Sequence, residues 1–397
     1  MNRDLDRLQP YPFEKLKALY ASVTPDPAYS AIPLFIGEPK HPTPDFIKKA
    51  LTDNLAGLAG YPATAGLPEL RKVIAAWICQ RYGLPAIDPE TQVLPVLGSR
   101  EALFAIAQVL IDRTRPDPVV ISPNPFYQIY EGAALLAGAT PYYLNTPEHS
   151  SIPTDFASIP EDVWKRTQLF YTCSPANPSG RVMPLSEWKL LFELADKHDF
   201  CIASDECYSE LYFDESKPPL GGLQAARMLG RPDFDRLVIF SSLSKRSNVP
   251  GMRSGFVAGN KELMKAFLLY RTYHGSAMCP TFQAASAAAW GDESHVRENR
   301  RLYVEKYKAV LPLIKRPLTT FMPEGGFYLW IRTPIPDDRF ARELYERYNV
   351  SVLPGSYLTR DSAGGDPGKN YVRIALVASL AECVEAARRI ALYAESL

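Results

Sequence analysis

The sequence predicts an α/β fold: a mostly parallel, doubly wound sheet of seven strands, followed by a smaller α+β domain. Three observations carry this. Between residues 91 and 259 short apolar runs alternate with helical patterns. The runs are apolar almost without interruption, as in strands covered on both faces, rather than alternating in and out. Beyond residue 280 long helical stretches replace the alternation, and 397 residues exceed what one core holds, roughly 250 to 300.

Taken in order, the strand candidates are "TQVLPVLGS", "DPVVISPNP", "ATPYYLN", "TQLFYTCSP", "DFCIASDE", "RLVIFSSLSK" and "RSGFVAG". Between them, "REALFAIAQVLIDR" and "LSEWKLLFELADKH" repeat apolar residues at helical spacing. "TFQAASAAAWGDESHVRENRRLYVEKYKAVLPLI" reads as long helix, interrupted near Gly291 and stopped before Pro317. Its tyrosine-rich part, "RRLYVEKYKAV", reads as a solvated amphipathic face. "GGFYLWIR", a helix around "RFARELYERY", "VSVLP", "NYVRIALV" and a closing helix complete the smaller unit. The expected division is a large domain over 48–284 and a small domain from 1–47 and 285–397, with the proline-rich N-terminal arm wrapped onto the latter.

Lysines plus arginines and aspartates plus glutamates both number 44, so no net charge draws the chain to nucleic acid or an anionic membrane. No apolar run approaches the roughly 20 residues of a membrane span, and "MNRDLDRLQPYPFEKL" lacks a secretory apolar stretch, so a cytoplasmic location is expected. The six cysteines, at 79, 173, 201, 207, 279 and 383, form no CxxC pair and read as reduced, packed side chains. His41, His149, His198 and His295 have no partners at metal-ligand spacing and read as surface or packing residues; no metal is expected.

HExxH, GxSxG and GxGxxG after a strand are all missing, and "GGDPGKN" has the wrong spacing for a phosphate-binding P-loop. What stands out is polar residues at the carboxyl ends of apolar runs, where α/β sheets collect ligands. Gly98, Ser99 and Arg100 open a helix, presenting N–H groups and a hydroxyl to an anion. Asn177 lies in a loop closed by Pro178 and Gly180. Asp205, a carboxylate that needs a positive partner, is followed by Tyr208. Ser242, Lys245 and Arg253 fall within "SSLSKRSNVPGMR". Pyridoxal 5'-phosphate satisfies the whole set: phosphate at the helix start, Ser242 and Arg253; ring nitrogen at Asp205; ring oxygen at Tyr208 and Asn177; aldehyde at Lys245 as a Schiff base.

The ordered segments "GEP", "YPATAG", "GSRE", "PNPFYQIY", "NPSG", "SDECY", "SLSK" with "GMRSGF", and "VRIAL" resemble the fold-type I class I/II aminotransferases across essentially the whole chain. The resemblance implies a pyridoxal-phosphate enzyme with Lys245, Asp205 and Tyr208 as its catalytic residues. It implies Ser99, Ser242 and Arg253 as phosphate ligands, together with backbone N–H groups near Gly98 and Arg100. Tyr127 falls where family members stack an aromatic on the ring, and many have tryptophan there. Arg373 matches the arginine that forks the substrate α-carboxylate, flanked by Gly37 and Asn177. Tyr61 matches a tyrosine reaching the phosphate of a neighbouring subunit, which implies a homodimer with shared active sites.

Within the family, "YRTYHGSAMCPTFQAASAAAWGDE" and "PEGGFYLW" look most like the proteobacterial N-succinyldiaminopimelate aminotransferases of lysine biosynthesis. The implied substrates are N-succinyl-LL-2,6-diaminopimelate and 2-oxoglutarate, with Arg271, His274 and Arg100 as candidates for the distal carboxylates. Other class I/II aminotransferases (aspartate, aromatic or LL-diaminopimelate), a pyridoxal-phosphate C–S lyase and a catalytically silent regulatory module are the alternative readings.

Overall fold

The computed structural model describes residues 1–397. All seven apolar runs are strands: β1 (Val93–Val96), β2 (Val119–Asn124), β3 (Thr140–Asn145), β4 (Thr167–Cys173), β5 (Cys201–Asp205), β6 (Leu237–Ser242) and β7 (Gly255–Gly259). They form one sheet in the order β1-β7-β6-β5-β4-β2-β3. The pairs β2 with β3, β2 with β4, β4 with β5 and β5 with β6 are parallel, and β7 runs antiparallel to both its neighbours.

The continuous apolarity follows from burial of both faces. On one side Val120, Leu169, Ala203, Val238 and Val257 pack beneath the helices Ser99–Leu110, Gln128–Leu136 and Lys261–His274. On the other, Ile121, Phe170, Ile202, Ile239 and Phe256 meet the helices Pro68–Tyr82, Leu185–His198, Gly222–Met228 and Pro280–Trp290. A division between 284 and 285 cuts through that last helix, whose Ala285, Ala289 and Trp290 belong to the core of the large sheet, as does Ile47. Apolar docking therefore carries the large unit past both expected limits.

The remaining part is built on a three-stranded antiparallel sheet in which Tyr371–Ala375 lies between Leu353–Pro354 and Tyr328–Arg332. The helices Ser294–Ile314, Asp337–Tyr348 and Leu380–Glu395 cover it. Ser379 starts the last of these with a reciprocal cap: its side chain accepts from the Glu382 N–H while the Glu382 carboxylate accepts from the Ser379 N–H. The N-terminal arm joins by strand pairing, Ile32 opposite Val350 and Pro33 opposite Ser351.

The helix Ser294–Ile314 corrects the expectation of a solvated face: Tyr303, Lys306, Tyr307 and Val310 are buried. The closing helix packs along it, Tyr303 meets Phe327 and Tyr328, and Tyr307 joins the core of the smaller unit, so its tyrosine stripe is core. No helix is long and apolar enough to cross a membrane.

Candidate active site

Because β2, β4, β5 and β6 are parallel, their carboxyl ends fall along one edge, and the loops leaving that edge deliver polar side chains to a single cavity. The cavity measures about 250 Å³, and Gly37, Ser99, Arg100, Tyr127, Asn177, Asp205, Tyr208, Lys245 and Arg373 line it. Lys245 and Asp205, 40 residues apart in sequence, thus line the same cavity.

Asp205 ends β5. Its Oδ2 accepts from the Tyr130 hydroxyl at 2.7 Å and its Oδ1 from the Cys207 N–H at 3.2 Å. No cation of the chain pairs with it, and desolvation raises its pKa, with the bonds to Cys207 and Tyr130 opposing. Lys245 lies in the short helix Leu243–Arg246 at the end of β6. Its ammonium donates to the carbonyl of Gly37 and faces the Phe327 ring at 5.4 Å. Burial brings its pKa down to about 8; Arg373 and Arg253 push the same way, against Cys207 and Glu38.

Arg373 Nη1 donates to Asn177 Oδ1 at 3.0 Å and Nη2 to the Phe35 carbonyl at 2.9 Å. Its guanidinium lies 4.3 Å from the centre of the Tyr328 ring, whose hydroxyl meets that of Tyr208 at 3.0 Å. A side chain at Gly37 would collide with the Tyr328 hydroxyl, so glycine lets the two segments approach.

At the helix start, Gly98 has φ +83° and no side chain caps the first turn. The Arg253 guanidinium occupies the space a Cβ on Gly98 would need, itself set by a left-handed residue, φ 52°, after the turn Pro250–Met252. Ser242 caps the helix Leu243–Arg246, accepting from Ser244 N at 3.1 Å, and donates to the Ser254 carbonyl at 3.2 Å. Gly98, Ser242 and Arg253 do not line the cavity, although the neighbouring Ser99 does. Tyr61 stands fully exposed on this single chain, away from the cavity.

Two of the three distal-carboxylate candidates lie elsewhere. Arg271 is wholly buried, with Nη1 donating to both oxygens of Glu101 at 2.9 and 2.7 Å and Nη2 to the Ser276 carbonyl. His274 Nδ1 is bonded to the Ser276 hydroxyl at 2.6 Å. Neither lines the cavity, because the last turn of their helix packs against the helix start rather than the strand ends. Arg100 does line it, donating to the Tyr11 hydroxyl at 2.7 Å.

Sequence reasoning missed Tyr130, Tyr328 and the cavity-lining thiols Cys173 and Cys207. Tyr130 had a signal in its spacing, three residues after Tyr127 at the start of a helix. His41 is likewise no plain surface residue: its Nδ1 is 2.8 Å from Asn299 Oδ1 and its Nε2 2.7 Å from Lys306 Nζ.

The residues present fit a phosphorylated, cationic heteroaromatic aldehyde. Asp205 is a buried carboxylate without a cation, the helix start at Gly98 leaves N–H groups uncapped, and burial brings the pKa of the Lys245 amine down to about 8.

The model of the aminotransferase class I and II family matches residues 30–390. An LL-diaminopimelate aminotransferase of Aquifex aeolicus is 32% identical over 365 residues, covering 90% of each chain. A crystal structure of an aminotransferase from Neisseria meningitidis superposes with a TM-score of 0.96 at 53% identity, covering 99% of this chain and 100% of that one. A probable N-succinyldiaminopimelate aminotransferase from Thermus thermophilus gives 0.84 at 28% identity, covering 96% and 100%. The chain belongs to the class I and II aminotransferases, enzymes that use pyridoxal 5'-phosphate.

Proposed function

We propose that the chain exchanges an amino group between N-succinyl-LL-2,6-diaminopimelate and 2-oxoglutarate. One observation carries the choice of a substrate with a distal carboxylate: Arg100 lines the cavity together with Arg373, yet pairs with no carboxylate of the chain. The names borne by the Thermus and Aquifex relatives support diaminopimelate chemistry. LL-diaminopimelate itself as amino donor is the second reading, favoured by the Aquifex relative's name and coverage.

In this reading the Asp205 carboxylate holds a proton on the cofactor's ring nitrogen, Tyr208 and Asn177 donate to its ring oxygen, and Tyr127 stacks on the ring. Ser99, Ser242, Arg253 and the N–H groups near Gly98 and Arg100 hold the phosphate. Bound there, pyridoxal phosphate supplies an aldehyde that takes up the amino group and a protonated ring that draws electrons from the substrate's Cα. Arg373 forks the α-carboxylate beside Gly37 and Asn177. Lys245, with a pKa brought down to about 8, is the base that moves the proton from the substrate's Cα.

The enzyme is proposed to work as a homodimer. The turn Leu55–Ala59 and Tyr61 expose Leu55, Leu58 and Tyr61 together, an apolar surface suited to a second copy, from which Tyr61 would reach the neighbouring phosphate.

Turnover with 2-oxoglutarate is to be measured for N-succinyl-LL-diaminopimelate, LL-diaminopimelate, N-acetylornithine, aspartate and aromatic amino acids. The proposal expects the highest kcat/KM for the first. A preference for free LL-diaminopimelate selects the second reading, and pyruvate release from a C–S substrate without half-transamination by glutamate refutes both.

A further inference from the structure

A buried polar chain lies behind Lys245, outside the cavity. Asn299 Nδ2 donates to the backbone carbonyl of Lys245 at 3.1 Å and to that of Arg246 at 3.4 Å. With its nitrogen so committed, Asn299 Oδ1 must accept, and it does so from Asn248 Nδ2 at 3.1 Å and His41 Nδ1 at 2.8 Å. That fixes the proton of His41 on Nδ1 and leaves Nε2 to accept from Lys306 Nζ at 2.7 Å. Lys306 Nζ also reaches the Val377 carbonyl at 3.4 Å.

We propose that Asn299, held in one orientation by His41 and Lys306, is a positioning residue for Lys245. The geometry grips that lysine from both ends. Its ammonium is bonded to the carbonyl of Gly37, and its own carbonyl is bonded through Asn299 to His41, four residues further along the same segment. Rotating the Asn299 amide would set its oxygen against two carbonyl oxygens and its nitrogen against two donors, so a single orientation survives. Both ends of the Asn299 amide are paired, although Asn248 Oδ1 has no partner, and a buried polar group paired at both ends rigidifies what it holds. The inference rests on the reading of Lys245 as the reactive amine.

The charged and titratable groups facing Lys245 are Cys207, Arg373, Glu38 and Arg253; those facing His41 are Lys306 and Glu298, and those facing Lys306 are Cys383 and Glu382. None of the first set belongs to the Asn299 chain. A change in the titration of Lys245 on altering that chain therefore reports a loosened lysine rather than a deleted charge.

The experiment is trace acetylation of Lys245 as a function of pH in the full-length chain stripped of cofactor, read by peptide mass spectrometry. The wild type is expected to show a midpoint near 8. Asn299→Ala is expected to raise it by about one pH unit, a tenfold change in proton affinity, as the freed ammonium gains access to water. His41→Ala should move it the same way, and His41→Gln should return it towards wild type, since an amide can both donate to Asn299 and accept from Lys306. Unchanged midpoints in folded Asn299→Ala and His41→Ala overturn the proposal, as does failure of His41→Gln to restore the value. Should Asn299→Ala not fold, the two His41 variants decide. A Lys245→Ala variant that kept the visible band of bound cofactor would sink the underlying reading of Lys245, while the acetylation midpoints would still test the positioning.

Discussion

Arg373 is held by Asn177: its Nη1 donates to the Asn177 side-chain oxygen at 3.0 Å, while Nη2 donates to the Phe35 carbonyl at 2.9 Å and the buried Nε has no partner. The guanidinium plane is thereby fixed over the Tyr328 ring, with further donor positions left for a ligand. Arg373→Lys keeps the charge but loses the planar fork and one charge-assisted bond, about 1.5–3 kcal/mol. Steady-state kinetics should show kcat/KM falling by roughly 10- to 150-fold. A wild-type value would separate Arg373 from carboxylate binding.

Asp205 has hydrogen-bond donors but no cation of its own, so its charge is a cost to the cofactor-free chain. Asp205→Asn should leave the thermal midpoint of that form unchanged or higher, yet weaken cofactor binding and lower kcat by about three orders of magnitude, a loss of roughly 4 kcal/mol in the transition state. Calorimetry and cofactor titration on one preparation test both halves. Loss of stability in the cofactor-free form would show that the carboxylate serves the fold instead.

The pH behaviour follows from Lys245, whose folded pKa of about 8 lies below the 10.5 of a free lysine. Between these two values the unfolded chain holds a proton that the folded chain has shed, so this group's contribution to stability increases as pH rises through that window. The neutral amine is also the form that attacks an aldehyde. Stopped-flow cofactor uptake should therefore accelerate as pH climbs through about 8 and then level off. Acceleration that continued towards 10.5 would contradict the depressed value.

Arg271 and Glu101 join the start of the helix Ser99–Leu110 to the end of the helix Lys261–His274. Glu101→Ala would strand a buried guanidinium, a change that costs about 3–5 kcal/mol. Urea unfolding should reveal that loss, while the ranking of substrates stays as in the wild type. A changed ranking with normal stability would return Arg271 to substrate recognition.

Local pattern in the chain was enough to define the seven strands and the burial of six of them on both faces, because a strand covered by helices on each side is predominantly apolar; the edge strand Thr140–Asn145 is only partly buried. It also placed Lys245, Asp205, Asn177 and Ser99 at strand ends, and parallel strands bring such ends to one edge. Tertiary structure alone decided the polar partnerships. Tyr130 reaches Asp205 across 75 residues, Glu101 reaches Arg271 across 170, and His41 reaches Lys306 across 265. Periodicity reports which face of an element is buried, whereas the group that meets a buried charge depends on how distant elements dock. For the same reason the Tyr303 stripe, amphipathic by sequence, became core once Phe327, Tyr328 and Val377 met Tyr303 and the closing helix packed along the same helix.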